Sequence, residues 1–295
     1  MLIKKWMAAA SLGLAALSAS ATPLDALTGN VNIKLQGLTT ENNTWAGTNE
    51  TTWGIGSISQ ITATGGQVWN MGASDGTYLY YMIYGIADLN TVQNATGTFD
   101  LYNVGATGGL GDGRIHLDIY RTTTNILELT SDFNAQVGDR TGYNMHSLLQ
   151  GLGPAYLQLE FGEGKQLANV AGGTDPTADE TISTLVQNTT SATLPAAGTG
   201  QFFADVIGGT AANQWNTNGL FGHDMDGKFT LSTNGASQGS GVCTDEEVTG
   251  PNPTCFTGFI NDPIRAIRAV PEPGSLALIG LGLVGLAGLR RRVGN

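Results

Sequence analysis

The feature that most constrains this chain is an alternation of apolar and polar residues with period two, which recurs along its middle. In Arg114-Ile115-His116-Leu117-Asp118-Ile119-Tyr120, the residues Ile115, Leu117 and Ile119 share one face, and His116, Asp118 and Tyr120 share the other. That is the pattern of a half-buried strand. Leu157, Leu159 and Phe161 alternate with Gln158 and Glu160 in the same way. Thr77 to Leu89 is apolar on both faces, with Tyr78, Tyr80, Met82 and Tyr84 set against Leu79, Tyr81 and Ile83. This suits a strand buried on both sides. Further strand candidates are 31–38, 53–63, 67–71, 97–104, 126–130, 200–207 and 228–233, separated by Gly-, Asn- and Asp-rich breaks such as Ser74-Asp75-Gly76. Short strands at this spacing predict an all-β body, a β-sandwich or jelly roll.

Helical signals are sparse. Asp175-Pro176 can cap and open a helix running to about Val186, and a second short turn falls within Gly138–Leu152. No constant period marks a solenoid. Of the 295 residues 41% are hydrophobic, enough for a core, which excludes general disorder. Only 13% are charged, and the formal charge of −11 excludes a nucleic-acid partner, since phosphates are neutralised by clustered Lys and Arg.

The two ends carry addresses. Residues 1–21 combine Lys4 and Lys5, an apolar stretch from Trp6 to Leu17, and Ala19-Ser20-Ala21. These are the three zones of a secretory signal peptide, predicted as a helix that signal peptidase removes, so that the mature chain starts near Thr22. At the other end Pro271-Glu272-Pro273 is followed by Gly274, an uncharged stretch from Ser275 to Leu289, and Arg290-Arg291-Arg292. As a hydrophobic helix, that stretch spans only about 22 Å, against a hydrocarbon core of about 30 Å. The arginines hold it cytoplasmic side in, with the body outside. Each proline pushes the residue before it, Val270 or Glu272, into extended geometry. A membrane-embedded processing enzyme is thus offered an extended strip just ahead of a helix.

This order of Pro-Glu-Pro, Gly-rich apolar run and Arg cluster resembles the sorting tail of PEP-CTERM proteins. Gly208-Gly209-Thr210-Ala211-Ala212, Trp215-Asn216-Thr217-Asn218 and Asn261-Asp262-Pro263 are similar to the closing portion of some of that group. The resemblance implies export by a Gram-negative bacterium, transient anchoring in the inner membrane, and processing by an integral-membrane exosortase. It also implies association with the cell surface, or with the exopolysaccharide matrix of a biofilm or floc. The chain then divides into a signal peptide (1–21), a β body (22–260), a stalk (261–270) and a sorting tail (271–295). The two ends hold five of the 13 basic residues and one of the 24 acidic ones, which leaves residues 22–270 at −15. A body so acidic is repelled by anionic lipid.

Candidates for chemistry are few. Cys243 and Cys255 enclose a short loop, and in an oxidising compartment such a pair is expected to form a disulfide. Asp224-Met225-Asp226-Gly227 alternates carboxylates ahead of a turn, as calcium loops open, but lacks the third Asp or Asn and the late Glu of a full EF-hand loop. The sequence Gly-x-Ser-x-Gly occurs at Gly72–Gly76 and Gly235–Gly239 without the helix that a nucleophile elbow requires. His116 beside Asp118 is a possible base with its orienting carboxylate, and Glu160 with Glu163, or Asp112 with Asp118, are possible glycosidase pairs. The blander reading, a solvated polar face, weighs more. Trp45, Trp53, Trp69, Trp215 and the tyrosines of 78–84 are candidates for stacking on sugars, though large aromatics more often fill cores. Asn42, Asn49, Asn94 and Asn188 match the glycosylation sequon. The expectation is a non-enzymatic, structural or adhesive β module without a resident cofactor, calcium being the one ion considered. Its rivals are a secreted carbohydrate-active enzyme or carbohydrate-binding module with the same tail, and a permanently anchored single-span protein.

Overall fold

The computed structural model describes residues 23–42, 50, 52–93, 99–109, 111–126, 147–161, 197–232, 255–260 and 263–269. A one-turn helix, α1 (Pro23–Ala26), precedes β1 (Gly29–Asn42), β2 (Thr52–Ala63), β3 (Val68–Asn70), β4 (Tyr78–Gln93), β5 (Phe99–Gly105) and β6 (His116–Thr122). The turn α2 (Ser147–Gln150), β7 (Leu157–Phe161), β8 (Ala197–Gly208), the turn α3 (Ala212–Trp215), β9 (Met225–Ser232), β10 (Cys255–Ile260) and β11 (Pro263–Arg268) follow.

Eight of these strands close on themselves in the order β1-β2-β4-β6-β7-β8-β9-β11, and β11 returns to β1, every pairing being antiparallel. The all-β expectation holds, but the sheet forms a closed barrel where a sandwich or jelly roll was expected. Both architectures alternate inward and outward residues; closure is decided by β1, whose two edges are taken by β2 and β11 so that none is left open. Three strands extend the wall: β3 beside β2, β5 beside the far half of β4, and β10 beside the far half of β1. Part of the expected stalk, 261–270, belongs to the barrel wall. Pro263–Arg268 is a stave, and proline is tolerated there because it heads the strand, where no ladder hydrogen bond is lost.

An eight-stranded barrel is just wide enough for its own side chains to fill. Val31, Ile33, Ile58, Ile61, Leu79, Leu117, Leu159, Phe161, Phe202 and Ile264 do so. Close approach is arranged by glycine. Gly37 and Gly56 face each other across β1 and β2, and Tyr81 of β4 lies over them. A Cβ on Gly37 would sit 2.5 Å from the Tyr81 hydroxyl, and one on Gly56 would sit 2.6 Å from the Gly37 Cα. The period-two reading slips where strands bulge. The register shift at Lys34/Leu35 adds Ser59 to β2, so that Ile58 and Ile61, three apart, both point inward.

From Leu79 to Met82, β4 is buried on both faces, as its composition predicts. Its outward residues Tyr80 and Met82 form a second cluster with Trp53, Ile55, Tyr120, Ile126 and Leu149. The Tyr80 hydroxyl accepts the Ile126 N–H at 3.0 Å. Removing one such aromatic side chain costs about 3–5 kcal/mol.

Residues 1–21 and 271–295, the expected helix at 175–186, and Cys243 lie outside the described residues. So do Glu163, Trp45, Asn49, Asn94 and Asn188. The Cys243–Cys255 pairing therefore lies outside the described residues, although Cys255 opens β10 opposite Asn42. Among those residues no helix is long and apolar enough to cross a membrane.

Candidate functional site

Three polar constellations stand out against a body so poor in charge. The first closes one mouth of the barrel. Gly29 pairs with Arg268 at the start of β1 and the end of β11, so both ends of the described chain leave here. The inward parity of Ile264 and Ala266 carries Arg268 into the interior, where only 1% of its side chain is exposed. Its guanidinium donates to the Leu24 carbonyl and to Gln214 Oε1, lies 3.7 Å from Asp25, and sits 5.2 Å from the Trp215 ring centre. Burial pulls its pKa below the ordinary arginine value against the pull of Tyr156 and Asp25. Arg121 forks onto Asp25 at 3.0 and 3.2 Å and lies 3.8 Å from Asp75.

Asp75 is the anchor beneath them. Burial opposes its ionisation, but donors from Thr77, the Trp69 indole at 3.1 Å and the Leu24 N–H at 3.4 Å outweigh it and hold the carboxyl below the usual range. A cavity of about 310 Å³ opens beside this network, lined by Asp25, Arg121, Tyr156, Thr210 and Gln214 among others. Its charged walls are paired with each other, so chemically the mouth works as a clasp between the first and last segments of the barrel.

The second constellation lies on the outer wall of β6 and β7. His116 Nε2 meets Asp112 at 3.0 and 3.2 Å, and its ring stacks on Tyr84 at 5.1 Å. The anticipated partner, Asp118, bonds elsewhere, accepting from the Tyr84 hydroxyl at 3.2 Å and from Gln158. Asp118 is 3% exposed, and burial raises its pKa despite those donors. Burial, with the charge of Asp118 added, pushes Tyr120 up to about 12. Glu160 stands opposite His116 in the ladder and pairs with Arg114 at 2.9 Å. Asp112 is held below the usual range because donors from His116 and the Arg114 N–H outweigh its burial.

The third surrounds the sequence pattern considered for calcium. Asp224 is buried, and its carboxylate accepts N–H groups from Val206 at 2.8 Å, Thr217 at 2.5 Å and Asn218 at 2.7 Å. Asp226 pairs with Arg265 of β11. Protein donors thus hold both carboxylates, and no cluster of three acidic, His or Cys side chains suited to a metal exists among the described residues.

Asp224 instead pins residues 217–218 to β8, and just beyond them stands a tight hairpin. Leu220 and His223 exchange both backbone hydrogen bonds at 2.9 Å around Phe221 and Gly222, whose φ angles are 57° and 93°. Two central residues at positive φ make the turn that Asn-Gly ordinarily occupies. A side chain with a Cβ in that region costs roughly 1–2 kcal/mol. Phe221 is nonetheless 84% exposed.

Sequence reading singled out Asp112, His116, Asp118 and Glu160 and set His116 beside Asp118; the structure hydrogen-bonds His116 to Asp112, and its charge also acts on Asp118. Sequence reading missed Asp25, Asp75, Arg121 and Arg268, although Arg268 on the inward parity of an apolar strand was a usable signal. It also missed Phe221, which no sequence pattern marked. Pro271, Glu272, Pro273 and Arg290 to Arg292 lie outside the described residues.

No curated protein and no solved structure matches the chain. Residues 269–292 match the family described as the PEP-CTERM protein-sorting motif, a match that opens on the residue after β11. The chain therefore carries a PEP-CTERM sorting tail, the mark of an exported protein that associates transiently with the membrane and is sorted by an exosortase.

Proposed function

We propose that the mature chain is a non-enzymatic β-barrel module of the cell surface or extracellular matrix, with a structural or adhesive role toward exopolysaccharide. An exosortase releases it near Pro271-Glu272-Pro273. The observation that carries this reading is the clasp. Arg268, on the last stave, binds Leu24 and Asp25 at the start of the mature chain and stands three positions before Pro271. A barrel closed in this way keeps its two ends together after both membrane segments are removed. The strongly negative body adds support, since it favours solubility outside the cell over adsorption to anionic lipid.

The test is the intact mass of the surface form recovered from wild-type cells. The expected mass lacks everything after the Pro271–Pro273 region, and deletion of 271–295 abolishes surface display. A surface form that retains Arg290 to Arg292 overturns release and favours a permanent anchor.

A second reading, a carbohydrate-active enzyme, draws on the outer wall, where buried Asp118 is biased toward its protonated form beside Tyr84 and Glu160 lies on the next strand. Turnover on a glycan panel that Asp118→Asn abolishes would establish it.

A further inference from the structure

The Leu220–His223 hairpin has features that packing does not explain. Its tip adopts backbone angles that favour Asn or Gly, yet it carries a phenylalanine with 84% of its surface in solvent. Backbone strain on a bulky residue that buries so little of its surface gains the fold little beyond an edge contact with Phe203, and such strain concentrates at functional sites.

What surrounds the ring narrows the ligand. Phe203, on the outward face of β8, meets Phe221 edge-on at 6.2 Å and stacks on His223 at 4.7 Å with 18° between the rings. His223 Nδ1 meets Asp205 Oδ2 at 2.9 Å, and Asp205 keeps 38% of its side chain exposed. Ile207, next but one along β8 on the same outward face, is 55% exposed. An aromatic face is thus displayed beside a partly exposed carboxylate and imidazole. The triple N–H grip of Asp224 on Val206, Thr217 and Asn218 pins the chain just ahead of the turn.

We propose that Phe221, Phe203, Asp205 and His223 form a binding platform for an uncharged saccharide chain. The Phe221 ring packs against the apolar C–H face of a sugar ring, while Asp205 and His223 exchange hydrogen bonds with its hydroxyls. Pyranose rings match this surface because each offers an apolar face rimmed by hydroxyls. The net charge of the body disfavours the two obvious competitors, anionic lipid and polyanionic glycan. This assignment rests on the matrix reading above and gives it a residue-level contact.

The test uses the mature protein released by wild-type cells, with soluble β-glucan, α-glucan and galactomannan as probes in affinity electrophoresis, and phosphatidylglycerol-containing vesicles as a separate arm. Phe221→Asn is the decisive variant because Asn suits the turn, so the hairpin folds at least as well as in the wild type. The expected result is at least about tenfold weaker binding to one of the glycans, from lost stacking, with an unchanged or higher melting temperature. Asp205→Asn should weaken it less. If wild type and Phe221→Asn bind a glycan equally, the platform is wrong while the matrix reading stands. If the wild type binds none of the glycans, the platform falls, and so does the polysaccharide half of that reading. Vesicle binding lost in Phe221→Asn would make the hairpin a lipid contact and overturn the proposal.

Discussion

The mouth and the outer wall of this barrel each shelter a carboxylate side chain from solvent, and the two pKa values shift in opposite directions. At the mouth, Asp75 collects an indole, a hydroxyl and two backbone N–H groups, with Arg121 close by, and is held below the usual range. On the wall, Asp118 has a tyrosine hydroxyl and a glutamine, and burial wins. Four neutral donors outweigh burial at Asp75, whereas the deeper burial of Asp118 outweighs its two. The body has few cations, and the mouth gathers Arg121 and Arg268 around Asp25 and Asp75. That choice fits a clasp that must stay shut, and it leaves the wall with a carboxyl biased toward neutrality.

The largest expected effect breaks the mouth. Arg268→Ala leaves the Leu24 carbonyl and Gln214 without their donor and removes a cation from Asp25, at a cost of about 3–5 kcal/mol. Urea denaturation should show the midpoint fall accordingly. A loss under about 1 kcal/mol would mean that the clasp does not hold the barrel closed.

Titration sharpens the comparison, because the two carboxylates give opposite signs. Asp75 has a depressed folded pKa, so its contribution is present above the unfolded value of about 3.9 and is lost as pH falls through the lower folded value. Asp75→Asn should therefore cost about 2–3 kcal/mol at neutral pH, an effect that shrinks only in strong acid. Asp118 has a raised folded pKa, so the stability its protonated form contributes is complete below about 3.9 and is lost as pH rises through the folded value. Asp118→Asn keeps an acceptor for Tyr84 and should be more stable than wild type at neutral pH, by up to about 1 kcal/mol, with the difference vanishing in acid. Melting curves across pH 3–8 measure both. Two curves of the same sign would erase the distinction between mouth and wall.

Much of the wall was legible in advance, and little of the mouth. Alternation in 114–120 and 157–161 assigns His116 to Tyr120 of β6 and all of β7 to their correct faces, and the two-sided apolarity of 77–89 marks the double burial of β4 from Leu79 to Met82. These are local properties, carried by the pleat itself. Closure depends on which strands meet, and β1 finds β2 nearby but β11 more than two hundred residues away. No local pattern records that pairing. Asn261-Asp262-Pro263 reads as a break and so hides the last stave. Asp75 sits inside a Gly-x-Ser-x-Gly sequence whose serine draws attention first, yet Ser74 only accepts the Asn70 N–H in a turn, while Asp75 anchors the mouth. Within the candidate site, residue types could be read but partners could not. His116 is two positions from Asp118 and four from Asp112, and only the course of the loop before β6 brings Asp112 to the ring.

The smallest effect probes the same chemistry on both sides of the comparison, an arginine on a carboxylate. Arg114 meets Glu160 at 2.9 Å, closer than the 3.7 Å between Arg268 and Asp25, and distance alone would rank the wall pair stronger. Solvent reverses that order. Half of the Arg114 side chain is exposed, so water screens the attraction and competes for both groups, whereas Arg268 has no water to fall back on. Glu160→Gln should therefore cost no more than about 0.5 kcal/mol in low salt and nothing measurable at high salt. Chemical denaturation at two ionic strengths reads the difference. A salt-insensitive loss above about 1.5 kcal/mol would place Glu160 in a desolvated setting like that of the mouth, and would move the outer wall from a solvated face toward the paired carboxylates an enzyme needs.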